Sequence, residues 1–188
     1  EQINLEINVE VINLGISSSW SKMETTLVKE RMIDYEPDLF LVYDGWNDQI
    51  GQLYAEDTSL YGNAIVWKNR WIEICNLYNK EFDVIIILQP LLTHKTLLLT
   101  DQEFTSYNTR DAIKEEARNL DKLATHLNEL NSTCSSAHDL RDIMKDVTKN
   151  IYYDQGHMTP IGNKIIANKI YEITLPIIEK NSRLILST

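Results

Sequence analysis

Basic residues are scarce in this 188-residue chain, and their scarcity excludes two classes of partner. Lysine and arginine number 18 against 28 aspartates and glutamates, which gives a net charge of −10. Nucleic acids and anionic membrane surfaces bind basic faces, so neither is expected as a partner. The longest apolar run, residues 84–88, is strand-sized and far shorter than the roughly 20 residues of a membrane span. The remaining composition, 43% hydrophobic and 24% charged, is typical of a soluble globular protein with one domain over residues 1–188.

Cysteine and histidine are also rare. Cys75 and Cys134 are too few for a disulfide framework and lack metal-site spacing. We interpret them as small buried hydrophobic residues, although the sequence leaves their pairing open. His94, His126 and His138 are scattered without a carboxylate at ligand spacing, so no metal site is expected. Nothing in the sequence decides between a secreted and a cytoplasmic location.

Strand-like and helix-like segments alternate along the whole chain. Short apolar segments that end at turn residues predict strands, and apolar residues at helical spacing predict the helices between them. The apolar stripes of these helices are expected to include Leu120, Leu123, Leu127 and Leu130 and, in the last helix, Ile161, with Trp67 and Trp71 in the core or at its rim. The segment Thr100-Asp101-Gln102-Glu103 has the form of a capping box, which marks a helix start. This alternation predicts an α/β domain with a mostly parallel sheet, whose functional residues lie at the carboxyl ends of strands. The predicted strands cover residues 9–15, 38–43, 82–88 and 134–140, and the predicted helices cover 22–35, 63–80, 100–131 and 160–179, the last shortened or kinked by Pro176.

Three of the turns between these elements carry groups suited to acyl transfer. The first strand ends at Gly15, whose backbone N–H is open to close approach, and the second is followed by Asn47. Asp154 precedes His157 by three residues in a glycine-containing turn, just before a helix that begins with Pro160. In such a turn the carboxylate can orient the imidazole and set its tautomer. A backbone N–H, a carboxamide and a His–Asp pair are the groups needed to bind an oxyanion and move a proton.

These segments resemble three motif blocks of the SGNH (GDSL-type) hydrolase family of esterases and lipases. The blocks are Val11-Ile12-Asn13-Leu14-Gly15, Gly45-Trp46-Asn47-Asp48 and Asp154-Gln155-Gly156-His157. The resemblance implies a flavodoxin-like three-layer α/β/α sandwich that needs no metal or organic cofactor. It implies that Gly15 and Asn47 form an oxyanion hole, with His157 as general base and Asp154 as its partner. We also place Trp46 and Asp48 at the substrate cleft, although Asp48 and Asp44 suit a loop-shaping role as well.

The family's first block, Gly-Asp-Ser, is absent from this sequence, and it is the block that carries the nucleophile. Ser17, Ser18 and Ser19 lie beside the oxyanion glycine, but loop and helix-cap roles suit them better. By the resemblance, a strand, turn and helix of roughly 30 residues are expected before Glu1. The absent strand would lie between the strands at 9–14 and 38–43, and without it backbone groups would be left open in the core. We therefore expect a separate N-terminal segment, or a swapped or re-paired chain, to complete the sheet.

Three functions are compatible with these motifs. The first is a serine ester hydrolase acting on a small-molecule, glycan or lipid ester, with its serine outside this chain. The second is a catalytically inactive relative that binds an ester or glycan without cleaving it. The third is a flavodoxin-like binding domain, which would need a glycine-rich phosphate loop that the sequence does not contain.

Overall fold

A computed structural model describes residues 8–49, 64–95, 98–108 and 113–185. Within these ranges strands and helices alternate, as the sequence predicts. The strands are β1 (Leu39–Asp44), β2 (Asp83–Leu88) and β3 (Ser136–Asp139). The α-helices are α1 (Ser21–Leu27), α2 (Ala64–Tyr78), α3 (Asp101–Asn108), α4 (Ile113–Ala124), α5 (Leu127–Thr133) and α6 (Pro160–Ile185). A π-helical turn (Val28–Met32) and a 3₁₀ turn (Ile33–Tyr35) extend α1, and a second 3₁₀ turn covers Leu92–His94.

The three strands form a parallel sheet in the order β1-β2-β3. β2 lies in the centre, and its residues from Val84 to Leu88 are almost completely buried. Because successive side chains point to opposite faces of a strand, β2 contributes to two separate cores. Val84, Ile86 and Leu88 enter one core, whereas Ile85 and Ile87 enter the other. The predicted parallel α/β sheet is therefore confirmed.

Helices cover both faces of this sheet. The first core contains residues of the extended α1, α2, α4 and α5, with Trp67 and Trp71 completely buried. The second core contains α6 and the segment around Tyr152. The predicted leucine stripe on α4 and α5 is confirmed, since Leu120, Leu123, Leu127 and Leu130 are all buried.

The last helix differs from the prediction in two ways. It continues past Pro176 to Ile185 instead of ending near residue 179. Ile170 and Ile173 before the proline and Ile177 after it all pack against the same core, so tertiary contacts stabilise the helix on both sides. Ile161, which was expected to be buried, is 43% exposed at the start of the helix.

The predicted strand at residues 9–15 is not formed. Residues 8–16 contain no strand, and Val9, Val11 and Ile12 are exposed. A β-strand is stabilised by hydrogen bonds to a neighbouring strand, and no described residue pairs with the outer edge of β1. This apolar segment therefore has no neighbouring strand among the described residues with which it could pair.

Cys75 and Cys134 form a disulfide, which corrects their interpretation as unpaired hydrophobic residues. Cys75 lies in α2 and Cys134 follows α5, and their Cα atoms are 5.0 Å apart. A separation of 59 residues in the sequence gives no sign of this proximity, because only helix packing brings them together. Closing a loop of this length restricts the unfolded chain and typically stabilises a fold by about 2–4 kcal/mol.

Candidate active site

Asp154 and His157 contact each other as the sequence predicts. His157 Nδ1 lies 2.7 Å from Asp154 Oδ2, while Asp154 Oδ1 accepts the backbone N–H groups of Gly156 and His157 at 2.9 and 2.8 Å. Partial burial favours a higher pKa for Asp154, but these hydrogen bonds and the imidazole outweigh it, and the pKa is lowered. Asp154 is thus an ionised acceptor that holds Nδ1 and leaves Nε2 available. The His157 side chain is 71% exposed, so this nitrogen can reach a substrate.

A short hairpin presents this pair. Tyr152 and Met158 form an antiparallel bridge, and the Tyr153 N–H donates to the His157 carbonyl at 2.8 Å. The Thr159 N–H donates to the Ile151 carbonyl at 2.7 Å, just before α6 begins. The Leu92 N–H, after the end of β2, donates to the Gln155 carbonyl at 2.9 Å. The turn is therefore fixed to the carboxyl end of the central strand.

Trp46 packs against this turn. Its ring lies edge-on to the His157 ring, with centroids 5.0 Å apart and planes at 76°. A Cβ atom placed on Gly156 would lie 2.4 Å from the Trp46 ring, so only glycine permits this approach. Gly45 has φ +123°, and a Cβ there would lie 2.5 Å from Leu88. Two glycines thus bring the segment after β1 and the His157 turn together.

Asn47 follows Trp46 in a helical turn over residues 46–49. Its Nδ2 donates one hydrogen bond to the Ser19 carbonyl at 2.7 Å. A carboxamide nitrogen carries two hydrogens, so this bond fixes the side chain and leaves a second donor. Asn47 is only half-buried and its neighbour Trp46 touches His157, which brings two of the three predicted motif blocks together.

Asp44 supports this arrangement from inside the protein. It is 4% exposed and accepts hydrogen bonds from the indoles of Trp67 and Trp71 at 2.9 and 3.3 Å and from the Gly45 N–H at 2.5 Å. Burial raises the pKa of Asp44, and these three donors oppose the rise. Asp44 was predicted to shape the loop, and these contacts show how it does so. Sequence reasoning placed the tryptophans in the core or at its rim but did not find their shared acceptor, although their spacing of four residues puts them on one helix face.

Asp48 is buried as well, at 1% exposure. Its carboxylate accepts the backbone N–H of Ser21 at 2.8 Å and the Ser21 hydroxyl at 2.5 Å, and Arg70 lies 3.7 Å away. Asp48 thereby supplies an acceptor at the start of α1, where Trp20 provides no side-chain cap. This position fits the predicted loop-shaping role of Asp48 better than its predicted place in the cleft. No sequence pattern indicates that Ser21 and Arg70 contact Asp48.

Glu24 adds a third carboxyl group to this region, and we expect it to make stability depend on pH. Burial and the nearby Asp44 raise the pKa of Glu24 to about 8, against a lowering effect of the hydrogen bond from Ser19. The folded state then binds more protons than the unfolded chain, so the free energy of unfolding should fall as pH rises from about 4.5 to about 8. Glu24→Gln should reduce that slope in urea unfolding curves measured across this range.

The matched control is Glu30→Gln, which changes an exposed glutamate in the π-helical turn that extends α1. It should leave the pH dependence as in the unsubstituted protein. An equal slope in the Glu24→Gln protein and the unsubstituted one would contradict the prediction.

Gly15, Ser17 and Ser18 lie in the exposed N-terminal segment. The Gly15 N–H donates to Asn13 Oδ1 at 3.0 Å, and a Cβ on Gly15 would meet only that same oxygen. Ser19 is buried and its hydroxyl donates to Glu24, so it does not serve as the expected helix cap. The oxyanion role of Gly15 stays a prediction. In the described ranges, no group of three or more His, Cys, Asp or Glu residues could hold a metal ion.

Comparison with known proteins identifies the fold. No family model and no curated protein matches the sequence. Among solved structures, Axe2, an acetylxylan esterase from Geobacillus stearothermophilus, matches with a TM-score of 0.65 and 15% identity, covering 86% of this chain and 70% of Axe2. This chain shares the α/β fold of that structure, a parallel sheet with helices on both faces.

Two further solved structures agree with this fold. LAE5, an alpha/beta hydrolase enzyme from the metagenome of Lake Arreo in Spain, has a TM-score of 0.67 and 15% identity, covering 87% of this chain and 71% of LAE5. The acetyl xylan esterase AlAXEase has a TM-score of 0.62 and 13% identity, covering 85% of this chain and 78% of that enzyme. The fold expected from the resemblance to the SGNH hydrolases is thus confirmed. No helix in the described residues is long and apolar enough to cross a membrane.

Proposed function

We propose that this protein is a serine ester hydrolase in which His157 is the general base and Asp154 its orienting partner. The observation that carries the proposal is the 2.7 Å contact between His157 Nδ1 and Asp154 Oδ2. It lies in an exposed turn of a domain whose structural neighbours are esterases. Two of the solved Axe2 structures are described as catalytic mutants, one with a serine and one with a histidine replaced by alanine. A Ser-His-Asp mechanism would use the same two residue types.

The mechanism follows from the chemistry of these groups. A serine hydroxyl attacks the ester carbonyl while His157 Nε2 takes its proton, and Asp154 stabilises the imidazolium that forms. The Asn47 amide and the Gly15 N–H stabilise the oxyanion of the tetrahedral intermediate. His157 then donates the proton to the leaving alcohol. Water attacks the acyl-enzyme in its turn, His157 takes the proton of the water and returns it to the serine oxygen, and the acyl group is released. The acyl group belongs to a small-molecule, glycan or lipid ester.

We propose further that the nucleophilic serine lies outside these 188 residues, on a strand that pairs with β1. The sequence has no Gly-Asp-Ser block, and β1 lies at the edge of the described sheet. The exposed apolar residues Val9, Val11 and Ile12 would then pair with the other side of the added strand. The strand would come from a separate N-terminal segment.

Intact-protein mass spectrometry, followed by a p-nitrophenyl acetate assay of the same sample, tests this proposal. We expect a companion segment with a Gly-Asp-Ser-like sequence, together with hydrolysis that a serine-reactive phosphonate abolishes. A single 21.8 kDa species without activity would contradict the proposal for this chain. That result would favour the second candidate, an inactive domain that binds an ester or glycan, which the absence of a nucleophile block supports.

A further inference from the structure

Lys95 and Glu103 form a completely buried ion pair that the mechanism above does not use. Lys95 Nζ lies 2.6 Å from Glu103 Oε2, and both side chains have 0% exposure. Burial favours a higher pKa for Glu103, but Lys95 and the backbone donors around it lower the pKa, so Glu103 is a carboxylate. A buried ion pair contributes little net stability, because desolvation of the two charges offsets their attraction. Its position in the fold points to a different role.

One part of this pair belongs to the capping box that the sequence predicts. Glu103 Oε2 accepts the backbone N–H and the hydroxyl of Thr100 at 3.0 and 3.1 Å, which fixes the start of α3. A capping glutamate needs only these contacts, and glutamates are rarely buried completely. The burial of Glu103 and its ion pair with Lys95 go beyond what a helix cap needs.

The other carboxylate oxygen of Glu103 contacts the segment that precedes the turn with Asp154 and His157. Glu103 Oε1 accepts the backbone N–H groups of Ile151 and Tyr152 at 2.8 and 3.2 Å. Lys95 Nζ also donates to the Lys149 carbonyl at 2.7 Å. The ion pair therefore binds the backbone at residues 149, 151 and 152, immediately before Asp154.

These contacts continue directly into the hairpin that presents His157. Ile151 accepts the N–H of Thr159, and Tyr152 bridges to Met158 on the returning strand. Glu103 thus forms hydrogen bonds to the first strand of the hairpin, and the first strand forms hydrogen bonds to the second. A displacement of Ile151 and Tyr152 would move Asp154 relative to His157.

We propose that Glu103, held by Lys95, is a positioning residue for the Asp154–His157 pair. The inference rests on the proposed function for its catalytic meaning, but its geometric part can be tested without turnover. Asp154 accepts from Nδ1, so neutral His157 carries its proton on that nitrogen. A free imidazole prefers the proton on Nε2, so the tautomer reports whether Asp154 still holds the ring.

The experiment is ¹⁵N NMR of the imidazole nitrogens of the 188-residue protein at a pH where His157 is neutral. The His157 signals are assigned by their loss in His157→Ala. In the unsubstituted protein we expect the Nδ1–H tautomer. Glu103→Gln should shift His157 toward Nε2–H and speed hydrogen exchange of the Tyr153 and Thr159 amides. The reason is that the oxygen of the introduced amide turns to Lys95, which leaves the N–H groups of Ile151 and Tyr152 facing an amide donor.

The matched control is Glu172→Gln, which breaks the exposed pair of Lys169 and Glu172 and should change neither readout. If Glu103→Gln does not fold, the double variant Lys95→Met, Glu103→Leu replaces the pair with apolar groups and is the one examined. Unchanged His157 tautomer and amide exchange in a folded variant would overturn the proposal. Failure of both variants to fold would also overturn it, since the pair would then be required by the fold itself.

In an active preparation, Glu103→Gln should lower kcat by about 10²-fold, the cost of a displacement of about 1 Å, with KM little changed. The two hypotheses can fail separately. If the protein has no esterase activity but the tautomer shifts as expected, the positioning role stands and the proposed function fails. If activity is present and the Glu103→Gln protein keeps the tautomer, amide exchange and kcat of the unsubstituted protein, only the positioning role fails.

Discussion

In a preparation that hydrolyses p-nitrophenyl acetate, replacing His157 with alanine is expected to lower kcat for ester hydrolysis by about 10⁴-fold or more. The reason is that the serine hydroxyl then has no base to take its proton and the leaving alcohol has no acid. The side chain is 71% exposed, so its removal leaves no cavity and should not change the thermal midpoint measurably. The measurement is kcat for p-nitrophenyl acetate, with circular dichroism to follow the fold.

Asp154→Asn separates orientation from basicity in the same assay. It keeps the imidazole but replaces an ionised acceptor that receives Nδ1 and two backbone N–H groups. We expect a loss close to that of His157→Ala, because the amide no longer fixes the productive tautomer. Lys164→Ala, on the exposed surface of α6, is the control and should retain full activity. Turnover within a few-fold of the unsubstituted protein in the His157→Ala variant would rule out the triad assignment.

The second large effect is expected at Asn47. Asn47→Ala should lower kcat by about 10²–10³-fold with KM nearly unchanged, because an oxyanion donor acts on charge that develops in the transition state. The lost hydrogen bond to the Ser19 carbonyl should cost about 1 kcal/mol of stability, which denaturant unfolding would detect.

Asn47→Asp is the matched variant for this prediction. It keeps the size of the side chain but has no N–H to donate, so its kcat should fall at least as far as that of the alanine variant. A change limited to KM in either variant would instead make Asn47 a residue that positions the substrate. Steady-state kinetics over a range of ester concentrations distinguish the two outcomes.

The candidate site could be read from the sequence only where it depends on local chain geometry. Asp154 and His157 lie three residues apart in a glycine-containing turn, so their contact needs no long-range information. The contact of Trp46 with Gly156 and His157 depends on how the segment after β1 packs against a turn more than 100 residues later. The indoles that donate to Asp44 come from α2, and the groups that contact Asp48 come from α1 and α2, so no pattern close to the two aspartates in the sequence indicates these contacts. Glu103 was predicted as a helix cap, but its second carboxylate oxygen acts on a distant part of the chain.

By itself, the sequence determined the alternation of strands and helices, the apolar strand predicted at 82–88, the capping box and the Asp154–His157 pair. Each of these depends on hydrophobic periodicity or on residues within one turn of chain. Tertiary structure alone decided the pairing of Cys75 with Cys134, the absence of a strand at residues 9–15, and the continuation of α6 past Pro176. These features depend on which neighbour each segment finds in space. A strand without a partner strand does not form, whereas a helix packed on both sides of a proline persists.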